Sequence, residues 1–279
     1  MHIVLKRGYV LSERISGSAV KFSYAEPEFF IKEKREKGIV IMDLRGLYKF
    51  TLVDYPGHIA CIVFTGGCNF RCPYCHNAAL VLDPRSQPRV TETEFFNFLK
   101  SRKGLLEGVV VSGGEPTIQP DLADFCRRIR EEGYLLKLDT NSSNPEVVYK
   151  IHRDCGINAL GVDFKAPSRR YSELVGNPSP DLGRKVHEMI RFGQLENIEL
   201  DIRTTVHKSL LSFSDLEEMH AELAVLGSPV WTLQQFNPVE VIEEALPGIA
   251  TYEDSDLIGM ARKLGPEVRV RGLTGRFLL

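Results

Sequence analysis

Three of the six cysteines in this 279-residue chain fall within eight residues. Cys68, Cys72 and Cys75 stand in Thr65-Gly66-Gly67-Cys68-Asn69-Phe70-Arg71-Cys72-Pro73-Tyr74-Cys75-His76-Asn77, a Cys-x3-Cys-x2-Cys spacing opened by two glycines. A free cysteine otherwise behaves as a small buried hydrophobe, and three on one loop would each need a separate apolar pocket. A shared metal site explains them, since soft thiolates select zinc, copper(I) or iron–sulfur clusters. Structural zinc takes four ligands, usually from two Cys or His pairs. No second pair is present: Cys61, Cys126 and Cys155 stand singly and read as buried apolar fillers. His76, directly after Cys75, is poorly placed to complete a tetrahedron. An electron-transfer [4Fe-4S] cluster takes four cysteines. Three on such a cluster leave one iron open, and an open iron implies a bound substrate or cofactor. Zinc is the alternative.

Other polar groups recur at the ends of apolar runs. Ser112-Gly113-Gly114-Glu115-Pro116 offers two glycines where backbone can approach a ligand, with carbonyls or Glu115 to accept from an ammonium group. Asp139-Thr140-Asn141 suits ribose hydroxyls or a small cation, and Asp163-Phe164-Lys165 adds a lysine suited to a carboxylate. Arg203 and Gln235 are further candidate contacts. The runs before these groups have strand length, and amphipathic stretches of helix length separate them, the alternation of parallel β/α units. Six strands are predicted, at 59–65, 108–112, 134–139, 159–164, 198–206 and 230–236, with a further C-terminal strand at 268–271. Helices are predicted near 91–103, 119–132, 145–154, 180–194, 213–226 and 252–264. Thr91 with Glu94, and Ser214 with Glu217, fit the capping box. No GxGxxG follows the first strand, so a dinucleotide fold is unsupported. The expected fold is α/β, a partial (β/α)6 TIM-like barrel, whose active site forms at the strand C-termini.

With these positions in view, the cysteine segment, including Tyr74 before the last cysteine, resembles the signature of the radical S-adenosylmethionine (radical SAM) superfamily. That resemblance implies a three-cysteine [4Fe-4S] cluster whose open iron chelates the methionine part of S-adenosylmethionine (SAM). One electron then cleaves the sulfonium C–S bond, and a 5′-deoxyadenosyl radical abstracts hydrogen. The cofactor carries the hard chemistry, so no protein acid, base or nucleophile is assigned. By the same resemblance Tyr74, His76, Gly113, Gly114, Glu115, Asp139, Thr140, Asn141, Asp163, Lys165, Arg203 and Gln235 frame the cofactor, with a monovalent cation near Asp139 and Asp163. Asp54-Tyr55-Pro56-Gly57, Cys75-His76-Asn77 and Asp139-Thr140-Asn141 are similar to glycyl-radical-enzyme activating proteins, above all those of anaerobic ribonucleoside-triphosphate reductase. The resemblance runs from about 42 to 271. The partners it implies are a glycyl radical enzyme as protein substrate and a flavodoxin or ferredoxin as electron donor. Pyruvate formate-lyase activases carry Pro-Tyr-His where this chain reads Gln-Phe-Asn-Pro, which weakens that assignment. The alternatives are activation of a pyruvate formate-lyase-like enzyme, or a small-molecule or peptide substrate.

Composition is compatible and narrows the rest. Lys+Arg at 35 against Asp+Glu at 37 gives no basic excess for nucleic acid, and 43% hydrophobic content excludes a disordered chain. No apolar run is long enough to span a membrane and no signal-peptide core follows Lys6 and Arg7, so a cytoplasmic location is expected. Residues 1–41, with a charge run at 32–37, read as an N-terminal extension of unknown role, and 42–279 as the catalytic domain.

Overall fold

A computed structural model describes residues 4–5, 9–10, 42–239 and 241–273. The chain divides into two units, Met1–Val40 and Ile41–Leu279. In the first, β1 (Val4–Leu5) and β2 (Tyr9–Val10) pair antiparallel; the charge run at 32–37 lies outside the described residues.

The second unit is built on one sheet. Its strands are β3 (Leu44–Thr51), β4 (Ala60–Thr65), β5 (Gly108–Gly113), β6 (Leu135–Thr140), β7 (Ala159–Asp163), β8 (Glu199–Val206), β9 (Trp231–Gln235) and β10 (Val268–Arg271). They lie in strict chain order, parallel from β4 to β10, with β3 antiparallel beside β4. The six predicted strands are β4 to β9, displaced by one residue at most ends, and β10 is the seventh. The fold is a partial (β/α)6 barrel with an added strand at each edge.

The longer helices between strands are α2 (Glu92–Ser101), α3 (Leu122–Glu131), α4 (Pro145–Cys155), α6 (Leu182–Leu195), α7 (Phe213–Ala224) and α8 (Asp254–Leu264). They cover one face of the sheet. Alternate strand residues on that side, such as Cys61, Val63, Val109, Val111, Leu136 and Leu138, are buried with Phe95, Phe125, Cys126 and Ile151 in one continuous core. The opposite face carries a smaller apolar floor, Tyr55, Ala60, Ile62, Val110 and Ala159. Toward the strand C-termini that face turns polar. Among the described residues no helix is long and apolar enough to cross a membrane.

Four expectations change. The capping box of α2 is present as read, with Thr91 accepting from Glu94 N–H and Glu94 accepting from Thr91 N–H. The box of α7 is instead Ser212 with Asp215, because the helix starts at Phe213 and Ser214 already lies in its first turn. Strand β3 was not anticipated: register shifts interrupt its pairing, and its Tyr48 and Phe50 face outward, so it shows no clean alternation. Helices α1 (Ala78–Leu82) and α5 (Tyr171–Val175) have five residues each, too few for a periodic signal. Cys155 is only half-buried, its thiol directed at Ile151 O (3.3 Å), whereas Cys61 and Cys126 are fully buried fillers as expected.

Candidate active site

The strands end together at Thr65, Gly113, Thr140, Asp163, Val206 and Gln235, and the loops that follow meet there. The cysteine loop is braced by short backbone links: Arg71 N–H donates to Val175 O (2.7 Å), and Asn177 Nδ2 to Asn69 O (3.2 Å). Cys72 and Tyr74 are buried, while Cys68 and Cys75 are partly covered. Phe70 N–H points at Cys68 Sγ (3.3 Å), and the Asn77 backbone bonds to Cys75. Burial pushes the Cys68 thiol up to about 12 and the Cys72 thiol up to about 11, so metal loading would release protons. The donor set, three soft thiols on one loop with N–H groups directed at sulfur, fits a thiolate-held iron–sulfur cluster. Among the described residues no three His, Cys, Asp or Glu side chains converge on one metal-ion position. A four-iron cube is wider than an ion and takes its thiolates at separate corners.

The Gly113-Gly114 segment lies directly against this loop. A Cβ on Gly114 would stand 1.9 Å from Gly67 O, and Gly113 has φ +128. Gly114 N–H donates to Thr65 O (2.9 Å), Glu115 N–H to Gly67 O (2.8 Å), and Asn77 Nδ2 to Gly113 O (2.8 Å). The glycines are therefore required by loop-to-loop contact, before any ligand is considered. Glu115, read from sequence as an acceptor for an ammonium group, is occupied. One oxygen accepts from Thr117 N–H (3.0 Å), Thr117 Oγ1 (2.6 Å) and Thr140 Oγ1 (2.8 Å), the other from Asn141 N–H (2.7 Å). Burial raises its pKa, and those donors oppose the rise. Its observed work is to tie the β5 loop to the β6 loop.

Asp139, Asp163, Lys165 and Arg203 come together. Arg203 places NH2 3.0 Å from Asp139 Oδ2 and Nε 2.9 Å from Asp163 Oδ1, and Lys165 Nζ is 3.0 Å from Asp163 Oδ2. Gly161, between Asp139 and Arg203, allows this, since a Cβ there would lie 2.1 Å from Asp139 Oδ1. Sequence reading missed Gly161, and also Lys137 and Asp201. Lys137 is buried and uses all three ammonium hydrogens, on Asp54 O (2.7 Å), Asp139 Oδ1 (2.9 Å) and Asp201 Oδ2 (3.0 Å). Both were within reach of the period-two rule, which puts residues two before Asp139 and Arg203 on the same strand face. Burial alone would raise the Asp163 carboxyl, but Lys165 and Arg203 outweigh it and hold it well below the usual carboxylate range. Asp139 is likewise lowered, with Arg203 and Lys137 overcoming burial. Lys165 also stands 5.9 Å from the Tyr74 ring centre, joining this network to the cysteine loop.

Two predicted contacts lie elsewhere. Gln235 pairs in register with Val206 and shares the helix-facing side of β9 with Trp231 and Leu233; its Nε2 donates to Tyr252 O (2.7 Å). Gln234 occupies the Arg203 side. His76 is exposed, with Nε2 3.0 Å from Asn237 O and its ring 5.7 Å from that of Phe236.

Residues 62–194 match the family model described as the radical SAM superfamily. Over that segment the chain is similar to radical SAM enzymes. It is similar to glycyl-radical-enzyme activating proteins: a Methanocaldococcus jannaschii protein provisionally named a glycyl-radical enzyme activating enzyme is 28% identical over 238 residues, 83% of this chain and 97% of the relative. The pyruvate formate-lyase-activating enzyme of Staphylococcus aureus is 38% identical over 95 residues, 32% of this chain and 38% of that relative. Streptococcus suis SuiB bound to precursor peptide SuiA shares the fold, with TM-score 0.61 and 15% identity over 92% of this chain and 57% of SuiB.

Proposed function

We propose that this chain is a radical SAM enzyme that activates a glycyl radical enzyme, with anaerobic ribonucleoside-triphosphate reductase as the target. One observation carries the reading: the thiol loop, the Gly-Gly-Glu loop and the Asp-Thr-Asn loop are locked into one cradle through Gly114, Glu115 and Asn141. Cys68, Cys72 and Cys75 would hold a [4Fe-4S] cluster. When bound, that cluster supplies one electron to SAM, whose cleavage gives the hydrogen-abstracting radical. The chain's own residues bind and orient. Lys165, held by Asp163 and Tyr74, presents a cation for the methionine carboxylate. Asp139, fixed by Lys137 and Arg203, and Asn141 border the same end of the sheet. The cations beside Asp139 and Asp163 already supply the balancing charge that a monovalent ion would bring. In our reading residues 42–279 form the catalytic domain and carry every group named here.

The protein substrate is inferred from the similarity to activating enzymes, including the Asp54-Tyr55-Pro56-Gly57 and Cys75-His76-Asn77 segments, and the ribonucleotide reductase target from the resemblance to that group, supported by residues 108–119, 137–145, 163–167 and 233–238. A flavodoxin or ferredoxin would deliver the electron. The 38% identity to the pyruvate formate-lyase-activating enzyme over 95 residues favours one second reading, a pyruvate formate-lyase-like target. The test is anaerobic reconstitution with iron and sulfide, reduction in the presence of SAM, and assay for 5′-deoxyadenosine. Mixing with each candidate target should then give a glycyl-radical doublet in electron spin resonance with one of them. A cluster-loaded protein that leaves SAM intact would falsify the proposal.

A further inference from the structure

Asn141 stands where the three loops meet, and the direction of its amide is settled by a backbone group. Ser143 N–H, which can only donate, lies 2.9 Å from Asn141 Oδ1. Nδ2 is therefore turned to the cysteine loop, 2.9 Å from Asn69 Oδ1 and 3.9 Å from Cys68 Sγ. The two amide hydrogens have one acceptor each. Asn69 complements the arrangement, with its own Nδ2 2.9 Å from Ser143 Oγ. The backbone is held as firmly, since Asn141 N–H donates to Glu115 Oε2 at 2.7 Å, and the residue is 4% exposed. Of the three clustered thiols, Cys68 is the one with a side-chain N–H in reach among the described residues. It also receives the Phe70 N–H.

We propose that Asn141 tunes the electron affinity of the cluster: its Nδ2–H directed at Cys68 Sγ raises the reduction potential of iron–sulfur bound at this loop. The proposal rests on the reading of Cys68 as a cluster ligand. Hydrogen bonds to cluster sulfurs are among the factors that set iron–sulfur potentials, and partners outside the ligand set tune metal centres in general. The physical reason is direct. Reduction adds negative charge that spreads onto the thiolate sulfur, and an N–H dipole pointing at that sulfur interacts more favourably with the reduced state. Glu115 acts on Cys68 in the opposite sense, as a nearby acid. Asn141 joins both, giving its backbone N–H to the carboxylate and its side-chain N–H to the sulfur.

The test compares wild type with Asn141→Leu, which keeps the bulk and removes the donor, using full-length protein reconstituted with iron and sulfide and titrated without SAM. The expected result is a one-electron reduction equilibrium less favourable in the variant by up to about tenfold, a fall of about 59 mV. Electron–nuclear double resonance of the reduced protein should lose one proton coupling. An unchanged midpoint and unchanged couplings in a fully iron-loaded variant overturn the inference and leave the cluster reading intact. A wild-type protein that binds no iron and sulfide overturns both. Should Asn141→Leu load poorly, Asn141→Ala is titrated in its place; it also removes the donor without adding charge and must show a lower midpoint than wild type.

Discussion

Arg203 is what allows two carboxylates to share the rim of this sheet. Its guanidinium touches Asp139, Asp163 and Asp201, and Lys137 and Lys165 close the network on either side. Removing one member of a buried ion network leaves uncompensated charge and costs about 3–5 kcal/mol. Here Asp163 keeps 30% side-chain exposure, so Arg203→Met should cost less, about 2–3 kcal/mol, in urea denaturation. Arg203→Lys should recover only part of the loss, because an ammonium cannot reproduce the fork. The acid dependence has a definite sign. Asp139 and Asp163 are held below their ordinary value of about 3.9, so their contribution is complete above that pH and is lost as pH falls through the lower folded values. The wild-type melting temperature should therefore hold from pH 7 to about pH 4. In Arg203→Met burial is less opposed, and the decline should begin at higher pH.

At the level of the element, the sequence was legible wherever a period had room to repeat. The helices of ten or more residues and the strands buried on the helix side announced themselves by apolar spacing. A cap is a two-residue event: sequence reading paired Ser214 with Glu217, and the geometry pairs Ser212 with Asp215. Ser212→Ala should thus destabilise by about 1 kcal/mol, whereas Ser214→Ala should be neutral within about 0.5 kcal/mol in the same denaturation assay. The loop elements were legible as chemistry but not as structure. Gly113 and Gly114 were read as making room for a ligand, yet the nearest atoms to the missing side chains belong to Thr65 and Gly67. Nothing in one strand's sequence tells which neighbouring loop will press on it. Gly114→Ala should force the two loops apart, lowering stability by about 1–3 kcal/mol and iron uptake on reconstitution with it. Gly114→Ala with wild-type iron content and melting temperature would refute that account.

Across the whole molecule, chain order equals sheet order from β3 to β10, and this is why local reading went so far. Each strand pairs with its neighbour in sequence, so no distant pairing had to be guessed. What stayed hidden was the content of the polar face, where Lys137 meets Asp201 across 64 positions. The single tryptophan, Trp231, is fully buried between sheet and helices with Nε1 donating to Thr204 Oγ1 (2.8 Å). Its emission should shift to longer wavelength in one step coincident with loss of helical circular dichroism, if residues 41–279 unfold as a unit. The contact between Gly67 and Gly114 has a kinetic consequence as well. The amides of Gly67, Gly114 and Glu115 are bonded to Leu80, Thr65 and Gly67, carbonyls that belong to one another's loops or to the helix beside them. Neither loop can open while the other stays closed, so deuterium should enter all three amides at one common rate, slower than at surface turns.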